Sequence, residues 1–548
     1  MFRPKLFEAL RNYDRPTFLS DLAAGVTVGV VALPLAIGFS IASGVEPSRG
    51  LWTAIIAGLL ISALGGSLVQ VGGPTGAFVP ILFGITAKFG YDGLVVATLI
   101  AGVILVVMGV LRLGNLIKFI PYPVTSGFTS GIAVIIFIGQ LKEFLGLGVK
   151  MPGHTTEQAA AIAQNMTQTN LHALSLGVLT LVILILWPKS WRRVPASIVA
   201  VIVTTAIVAF FDIDVPTIGS RFGGIPRGLP TVGMPHLTFS QLQELMIPAL
   251  TIAMLGSIES LLSAIVADGM IESRHDSNQE LIGQGIANIA CPFFGGISAT
   301  GAIARTATNI RSGAKTPIAG CVHSLTLLVI VLVAAPLAKF IPLTALSAVL
   351  LLVAYRMGEW DNFLELARGP KSDFGVLLVT FAFTVIFDLT IAVGVGLTMA
   401  AVLFVRRMEE ISHIRLVTPE SEMEVGGGSI RGKDVPEGVL VYRIEGPFFF
   451  GAAEKLETAL ERYSTVPRVV IFRMRTVPAI DATGLRALEI MLDKFHRKAT
   501  LLILSGVQPQ PMKVLYNAKF VDKIGLDNIC ANIDVALDRA RQLLGQKG

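Results

Sequence analysis

Two glycine-rich stretches, Gly72-Gly73-Pro74-Thr75-Gly76 and Gly295-Gly296-Ile297-Ser298-Ala299-Thr300-Gly301, decide how this chain is read. Each lies in a strongly apolar region and leads into a helical segment, 76–88 and 302–311, well short of the ~20 residues needed to cross a bilayer. Glycine and proline unwind helices, and unwound backbone at membrane depth is tolerated only where it is buried in protein or lines a cavity. A free helix start presents unpaired N–H groups and about half a positive charge. Two such starts converging near the midplane would form an anion site without a dedicated side chain. The competing reading is that the glycines only allow close helix packing.

Working outward, apolar segments run from 22 to 405: 22–43, 51–68, 76–88, 93–111, 124–141, 174–187, 195–211, 246–267, 281–294, 302–311, 317–335, 341–355, 373–387 and 389–405. The interrupted segments are third and tenth of about fourteen, the placement that a seven-plus-seven repeat requires. Repeats with an odd number of spans enter the membrane in opposite senses, so their half-helices face each other. The expected fold is therefore an α-helical polytopic membrane protein, an inverted repeat with two half-helices, followed by a small α/β domain.

Composition agrees. Of 548 residues 53% are hydrophobic and 15% charged, with mean hydropathy +0.70, which excludes a soluble enzyme. Charge is unevenly spread: 39 of the 143 residues from 406 onward are charged, against 43 of the 405 before them. The divisions read as a cytoplasmic lead-in at 1–20, a membrane domain at 21–405, a linker at 406–437 containing a Gly426–Ser429 hinge, and a soluble domain at 438–548. Arg and Lys are scattered over short loops and form no basic stripe, so no nucleic-acid partner is expected. With both termini inside, the cytoplasmic loops carry eleven Lys or Arg against seven outside, and Arg406 and Arg407 follow the last span. Cys291, Cys321 and Cys530 have no disulfide or metal-ligand spacing and read as apolar fillers; no metal or cofactor is expected.

An ionisable residue at membrane depth is a functional hypothesis by default. Glu259, in Met254-Leu255-Gly256-Ser257-Ile258-Glu259-Ser260, has no cation in its own segment and suits proton coupling; its alternative is a protonated acid that joins two helices. Arg305 lies four residues beyond Gly301, about one turn into the short helix, where its charge adds to the field of the helix starts. The alternatives for Arg305 are snorkelling to the cytoplasmic face or pairing with an acid such as Glu259. Thr75, Ser298 and Thr300 can donate to substrate oxygens or cap their helices.

These motifs, with Gly44-Val45-Glu46-Pro47-Ser48-Arg49-Gly50-Leu51-Trp52, Gly65-Gly66-Ser67, Glu280-Leu281-Ile282-Gly283-Gln284-Gly285, Phe294-Gly295-Gly296-Ile297 and Gly301-Ala302-Ile303-Ala304-Arg305-Thr306-Ala307, resemble the SulP (sulfate permease) family of anion transporters. Within that family the chain is most similar to the proton-coupled bacterial C4-dicarboxylate type. The resemblance implies core and gate domains with elevator-like movement, a homodimer in the bacterial inner membrane, and transport of sulfate, bicarbonate or a C4-dicarboxylate with protons, or sodium in their place. It marks Gly73, Pro74, Thr75, Gly76, Thr300, Gly301, Ala302 and Arg305 as substrate-binding, Glu259 as the coupling acid, and Pro34 to Phe39 as a wall. Leu33-Pro34-Leu35-Ala36-Ile37-Gly38-Phe39 lacks the Gln and Tyr of many eukaryotic members, so their substrate preferences do not transfer.

Residues 438 to 548 alternate strands (Val439–Ile444, Val469–Met474, Thr500–Leu504) with helices (453–463, Leu485–Phe495, Ile533–Leu544). With Asp481-Ala482-Thr483-Gly484 at a strand-to-helix turn, this resembles a STAS domain. Asp481 suits an N-cap, and Thr483 matches the position phosphorylated in related signalling domains, which implies a regulatory pair and a cytoplasmic protein partner. Two other functions fit the residues: a nucleobase:proton symporter on the same fold, against which Arg305 argues, and a membrane sensor signalling through its STAS domain.

Overall fold

The computed structural model describes residues 3–115, 121–149, 151–152, 154–188, 195–226, 239–387, 389–411, 413–418, 430–449 and 467–545. The hinge expected at 426–429 and the helix expected at 453–463 lie outside them, as do Lys118, Lys150, Lys189, Arg192, Arg193 and Arg227. The chain divides into two compact units, Met1–Ala400 and Ala401–Gly548.

The first unit is helical. Its elements are α1 (Lys5–Ala9), α2 (Arg15–Ala42), α3 (Pro47–Leu64), β1 (Gly72–Gly73), α4 (Val79–Val110), α5 (Tyr122–Phe144), α6 (Thr155–Gln164), α7 (Leu171–Leu186), α8 (Ala196–Phe211), α9 (Ile218–Phe222), α10 (Phe239–Ile271), α11 (Ser277–Phe293), β2 (Thr300–Gly301), α12 (Ile303–Arg311), α13 (Ile318–Ala338), α14 (Leu343–Met357), α15 (Trp360–Arg368), α16 (Lys371–Ile386) and α17 (Leu389–Ile411), the last of which runs on past Ala400. Each of the fourteen apolar segments overlaps a helix. Among the described residues seven helices are long and apolar enough to cross a bilayer, and α7 and α8 are shorter apolar helices. The third and fourth segments form one helical run, Gly76–Val110, broken at Gly90 by a left-handed φ of 69°. Hydropathy marks two segments there, and the kink at Gly90, beside Lys88, Tyr91 and Asp92, falls between them. Two short amphipathic helices, α6 and α15, were not foreseen; neither has an apolar run long enough to register as a span.

Local chemistry sets the helix ends. Asp14 caps α2 by accepting from Thr17 N at 2.9 Å, with Pro16 in the first turn, and Asp276 caps α11 by accepting from Asn278 N and Gln279 N. Within the unit, α2, α3, α4, α10, α11, α12 and α13 pack into one group, and α5, α7, α8, α14 and α16 into another. Small residues permit the closest approaches in the first group, as expected where lipid supplies no hydrophobic drive for helices to associate. A Cβ on Gly285 of α11 would lie 2.7 Å from the Gly102 carbonyl oxygen of α4, and one on Gly102 would lie 2.9 Å from that of Gly285.

The second unit holds a five-stranded sheet in the order β3 (His413–Leu416), β4 (Val439–Glu445), β5 (Val469–Thr476), β6 (Leu501–Ser505) and β7 (Ile529–Cys530). Only the β3–β4 pair is antiparallel. One sheet face, with Tyr442, Phe472 and Leu504, packs on α18 (Ala482–Arg497) and α19 (Pro509–Asn517), next to α20 (Phe520–Ile524). The other face, with Val441, Ile471 and Ile503, packs on α21 (Ile533–Leu543). Strand β3 falls inside the stretch read as linker: its alternating burial over four residues is too short a signal to separate from loop.

Gly285→Ala should drive α4 and α11 apart or force the backbone to shift, at a cost of about 1–3 kcal/mol. A lowered thermal unfolding midpoint of the detergent-purified protein is the expected result, and an unchanged midpoint would contradict the packing.

Candidate functional site

The two glycine-rich stretches meet. β1 and β2 pair antiparallel, Gly72 opposite Gly301 and Gly73 opposite Thr300. The pairing brings the start of the Gly76–Val110 run beside the start of α12. Neither start has a side-chain cap: Thr75 precedes the first and Ala302 the second. The Thr75 hydroxyl instead donates to Glu259 Oε2 at 3.0 Å. Both first turns therefore lack the hydroxyl or carboxylate acceptor that normally satisfies helix-start N–H groups.

One face of α10 organises this pair. Gly256, Glu259, Ser260 and Ser263 follow the i, i+3, i+4, i+7 spacing of a single helix face. Gly256 O accepts from the Thr300 hydroxyl at 2.9 Å, and Ser260 Oγ accepts from Gln70 Nε2 at 2.8 Å. Ser263 donates to Thr306 Oγ1 at 3.2 Å, which in turn accepts from Val71 N at 3.1 Å. The carboxylate thus sits on the helix that holds both breaks, and Glu259 is only partly buried between residues that are fully buried.

Arg305 is 2% exposed, and its guanidinium donates to the carbonyls of Gly72, at 3.3 Å, and Pro74. It holds the unwound backbone of β1 from behind. Gly73 makes this possible: its φ of +148° is in the region glycine favours, and a Cβ there would lie 2.2 Å from Arg305 Nη1. Gly301 is equally constrained, since its Cβ would meet Gln70 Nε2 at 1.7 Å. Gly76 has Phe39 of α2 beside it and, from the second helix group, Ile136 and Met357. Ala302 is tied to β1 through its N–H to Val71 O at 3.0 Å. Ser298 pairs its hydroxyl with that of Thr98 at 2.6 Å and so serves packing with α4.

The structure therefore gathers Gly73, Pro74, Thr75, Gly76, Glu259, Thr300, Gly301, Ala302 and Arg305 in one place. Asp481 and Thr483 belong to the other unit: Asp481 caps α18 by accepting from Gly484 N at 2.7 Å, and Thr483 is exposed in its first turn.

Sequence reasoning missed a fully buried carboxylate close to the site. Glu280 is fully buried and accepts from Gly66 N at 2.8 Å, Ser67 N at 3.2 Å and the Ser260 hydroxyl at 3.3 Å. It links the turn after α3, through Ser260 and Gln70, to β2 beside the site. Its signal was an acid inside the Glu280–Gly285 motif, but it lies near a helix start, where an acid has an ordinary capping explanation. Gln284 and Asn288 escaped notice as well. They donate to Ala299 O at 3.3 and 2.8 Å and, through Asn288 Oδ1, accept from Ala299 N at 2.8 Å.

Comparison with known proteins gives the family. The chain is 44% identical, over 94% of its length and 96% of the relative's, to YvdB of Bacillus subtilis (strain 168), a candidate sulfate transporter. It is 32% identical to the bicarbonate transporter BicA of Picosynechococcus sp., over 95% of this chain and 94% of that protein. These named relatives are transporters, not enzymes. The transmembrane domain of a cyanobacterial BicA superimposes with a TM-score of 0.63 at 32% identity, covering 71% of this chain and 98% of that one. The overall structure of SLC26A9 shares the fold over 98% of this chain and 94% of that chain, with a TM-score of 0.87 at 19% identity. The family model described as sulfate permease family matches residues 18–380, and that for the STAS domain matches 433–536. The chain is accordingly a multi-pass membrane protein that belongs to the sulfate permease family and carries a C-terminal STAS domain.

Proposed function

We propose that the protein is a secondary active transporter of a small anion, bound at the first turns of the Gly76–Val110 run and α12, with Glu259 as the coupling acid. One observation carries this reading: two uncapped helix starts are pinned together by β1–β2, with a guanidinium behind them and a carboxylate at their edge. Converging helix starts favour negative charge. The relatives named for sulfate and bicarbonate support an oxyanion, and a C4-dicarboxylate offers the same carboxylate chemistry.

Charge explains the coupling. With the site empty, ionised Glu259 and Arg305 together are neutral. An anion entering alone meets the carboxylate's repulsion, and it would carry net charge through a bilayer in which one charge costs ~2.5–3.5 kcal/mol even on lenient scales. A proton on Glu259 removes both penalties, so anion and proton raise each other's affinity by the same factor. One proton balances a monovalent anion such as bicarbonate. A dianion needs a second cation, a further proton or sodium.

In this reading the helix group around β1 and β2 moves as a body against the α5–α14 group, an elevator-like exchange of access. Phe39, Ile136 and Met357, next to Gly76, form the wall that the anion passes. The protein works as a homodimer in the bacterial inner membrane with both termini cytoplasmic, as the loop charge bias supports.

Proteoliposome uptake of radiolabelled bicarbonate, sulfate and succinate, with and without an inward proton gradient, tests this. At least one anion should accumulate faster with the gradient, and Glu259→Gln, which mimics the protonated acid, should still bind that anion while losing the gradient dependence. Uptake indifferent to the gradient overturns the coupling, and uracil uptake without anion uptake overturns the substrate class. Gly73→Ala should displace the Arg305 guanidinium and weaken anion binding at least tenfold, or about 1.4 kcal/mol; equal affinity in wild type and variant would separate Arg305 from the site.

A further inference from the structure

Glu280 is an acid close to the proposed anion site that has no part in the Glu259 coupling. It sits in the first turn of α11 and is fully buried. Burying a charge is costly unless it is both paired and hydrogen-bonded. Gly66 N, Ser67 N and the Ser260 hydroxyl donate to Glu280, but among the described residues no cation pairs with it. The charged groups on the elements around it are engaged elsewhere or stand apart. Asp276 caps α11, Asp268 of α10 holds His275 at 2.7 Å, and Lys5 pairs with Glu8. Arg3 reaches α11 through its backbone N–H to Gln279, and Arg112 follows the end of α4. The end of α3 brings only Gly65, Gly66 and Ser67.

The hydrogen-bond chain that ends on Glu280 can run in either direction. Gln70 Nε2 donates to Ser260 Oγ at 2.8 Å, and the Ser260 hydroxyl donates to Glu280 Oε1 at 3.3 Å. That order suits an ionised carboxylate, which can only accept. A protonated Glu280 has to donate, and the reversed chain lets it do so: Glu280 Oε1–H to Ser260 Oγ, and the Ser260 hydroxyl to Gln70 Oε1. This last oxygen is buried and has no partner among the described residues. Turning the Gln70 amide over about its final torsion brings Oε1 to Ser260, so the chain stays intact in both protonation states of Glu280.

The other end of the chain touches the anion site. A Cβ on Gly301 of β2 would lie 1.7 Å from Gln70 Nε2 and 3.0 Å from Ser260 Oγ, and α12 starts two residues later. Glu280 is thus about three contacts, roughly 10 Å, from an anion at that helix start. At an effective dielectric of ~20, two unit charges at that separation change each other's binding by on the order of tenfold. A dianion has twice the effect on the free energy, so it favours a proton on Glu280 more strongly than a monoanion does.

We propose that Glu280 is a second proton-binding group, linked to the anion site through Ser260 and Gln70, which takes up the additional proton that a bound dianion requires. The inference rests on the anion-transport reading and deepens it. The Glu280 carboxylate gains one proton from water on Oε1 and Glu259 gains another, so a dianion and its two protons add no net charge to the unit. A monoanion is balanced by Glu259 alone. Dianion and proton then raise each other's affinity by the same factor.

Calorimetric titration of the full-length, detergent-purified protein with sulfate, succinate and bicarbonate across neutral pH tests this, with affinities expressed per dianion or per bicarbonate ion. A proton that assists binding is lost as pH rises. Dianion affinity should therefore fall more steeply with pH than bicarbonate affinity, by up to a further tenfold per pH unit. Glu280→Gln should abolish that excess and keep the fold, since its amide still accepts from Gly66 and Ser67 and donates to Ser260. Ser260→Ala should reduce the excess too, because it deletes the acceptor of the protonated acid. Glu259→Gln should retain it. Equal pH slopes for dianion and bicarbonate, an excess that survives Glu280→Gln, or binding of bicarbonate alone overturns the proposal and leaves coupling at Glu259 standing. A bicarbonate slope unchanged by Glu259→Gln, with the dianion excess still lost in Glu280→Gln, overturns the Glu259 coupling instead. Binding of none of the three anions overturns both.

Discussion

The pairing of Gly72–Gly73 with Thr300–Gly301 is the constraint on which the membrane unit depends. Two residues per strand are far too few to hold together unaided. In an apolar surrounding each unpaired backbone group costs several kcal/mol, so the helices around this pair must supply the missing partners. They do so with side chains that would otherwise be out of place in a membrane: Gln70, Ser260, Ser263, Gln284, Asn288, Thr306 and Asn309, the last donating to Val69 O at 2.9 Å. The polar interior of the first helix group is the scaffold of an unwound crossing.

Arg305 shows how structure and electrostatics share one side chain. Its hydrogen bonds to Gly72 and Pro74 satisfy the backbone of β1, while its charge stays where the two helix starts converge. Losing a partner from such a buried arrangement costs more than the net worth of its bonds, because the groups left behind stay desolvated. Glu280 occupies a comparable place one layer away, where three donors hold the turn at Gly66 and Ser67.

Much of this was legible in the residues. The two breaks, their positions third and tenth, the acid at 259 and the cation at 305 all stand out against an apolar background, and the structure brings them together. The strands β4, β5 and β6 lie within two residues of where alternation and β-branched runs put them. Other features were illegible for identifiable reasons. Strands β3 and β7 are too short for periodicity. Glu280 was hidden by its position near a helix start, where acids are common.

The sequence by itself determined where the long apolar segments lie, where two of them break and that a more charged unit follows them, because apolar length, breaker residues and charge density act over a few turns of chain. The tertiary structure alone decided that Gly73 lies under the Arg305 guanidinium, that Thr75 turns its hydroxyl to Glu259 rather than capping its own helix, and that Arg415, Arg443 and Arg473 stand side by side. Those contacts join residues far apart in the chain, and their partners are chosen by packing and by the need to satisfy buried polar groups, neither of which is visible in any local pattern of residues.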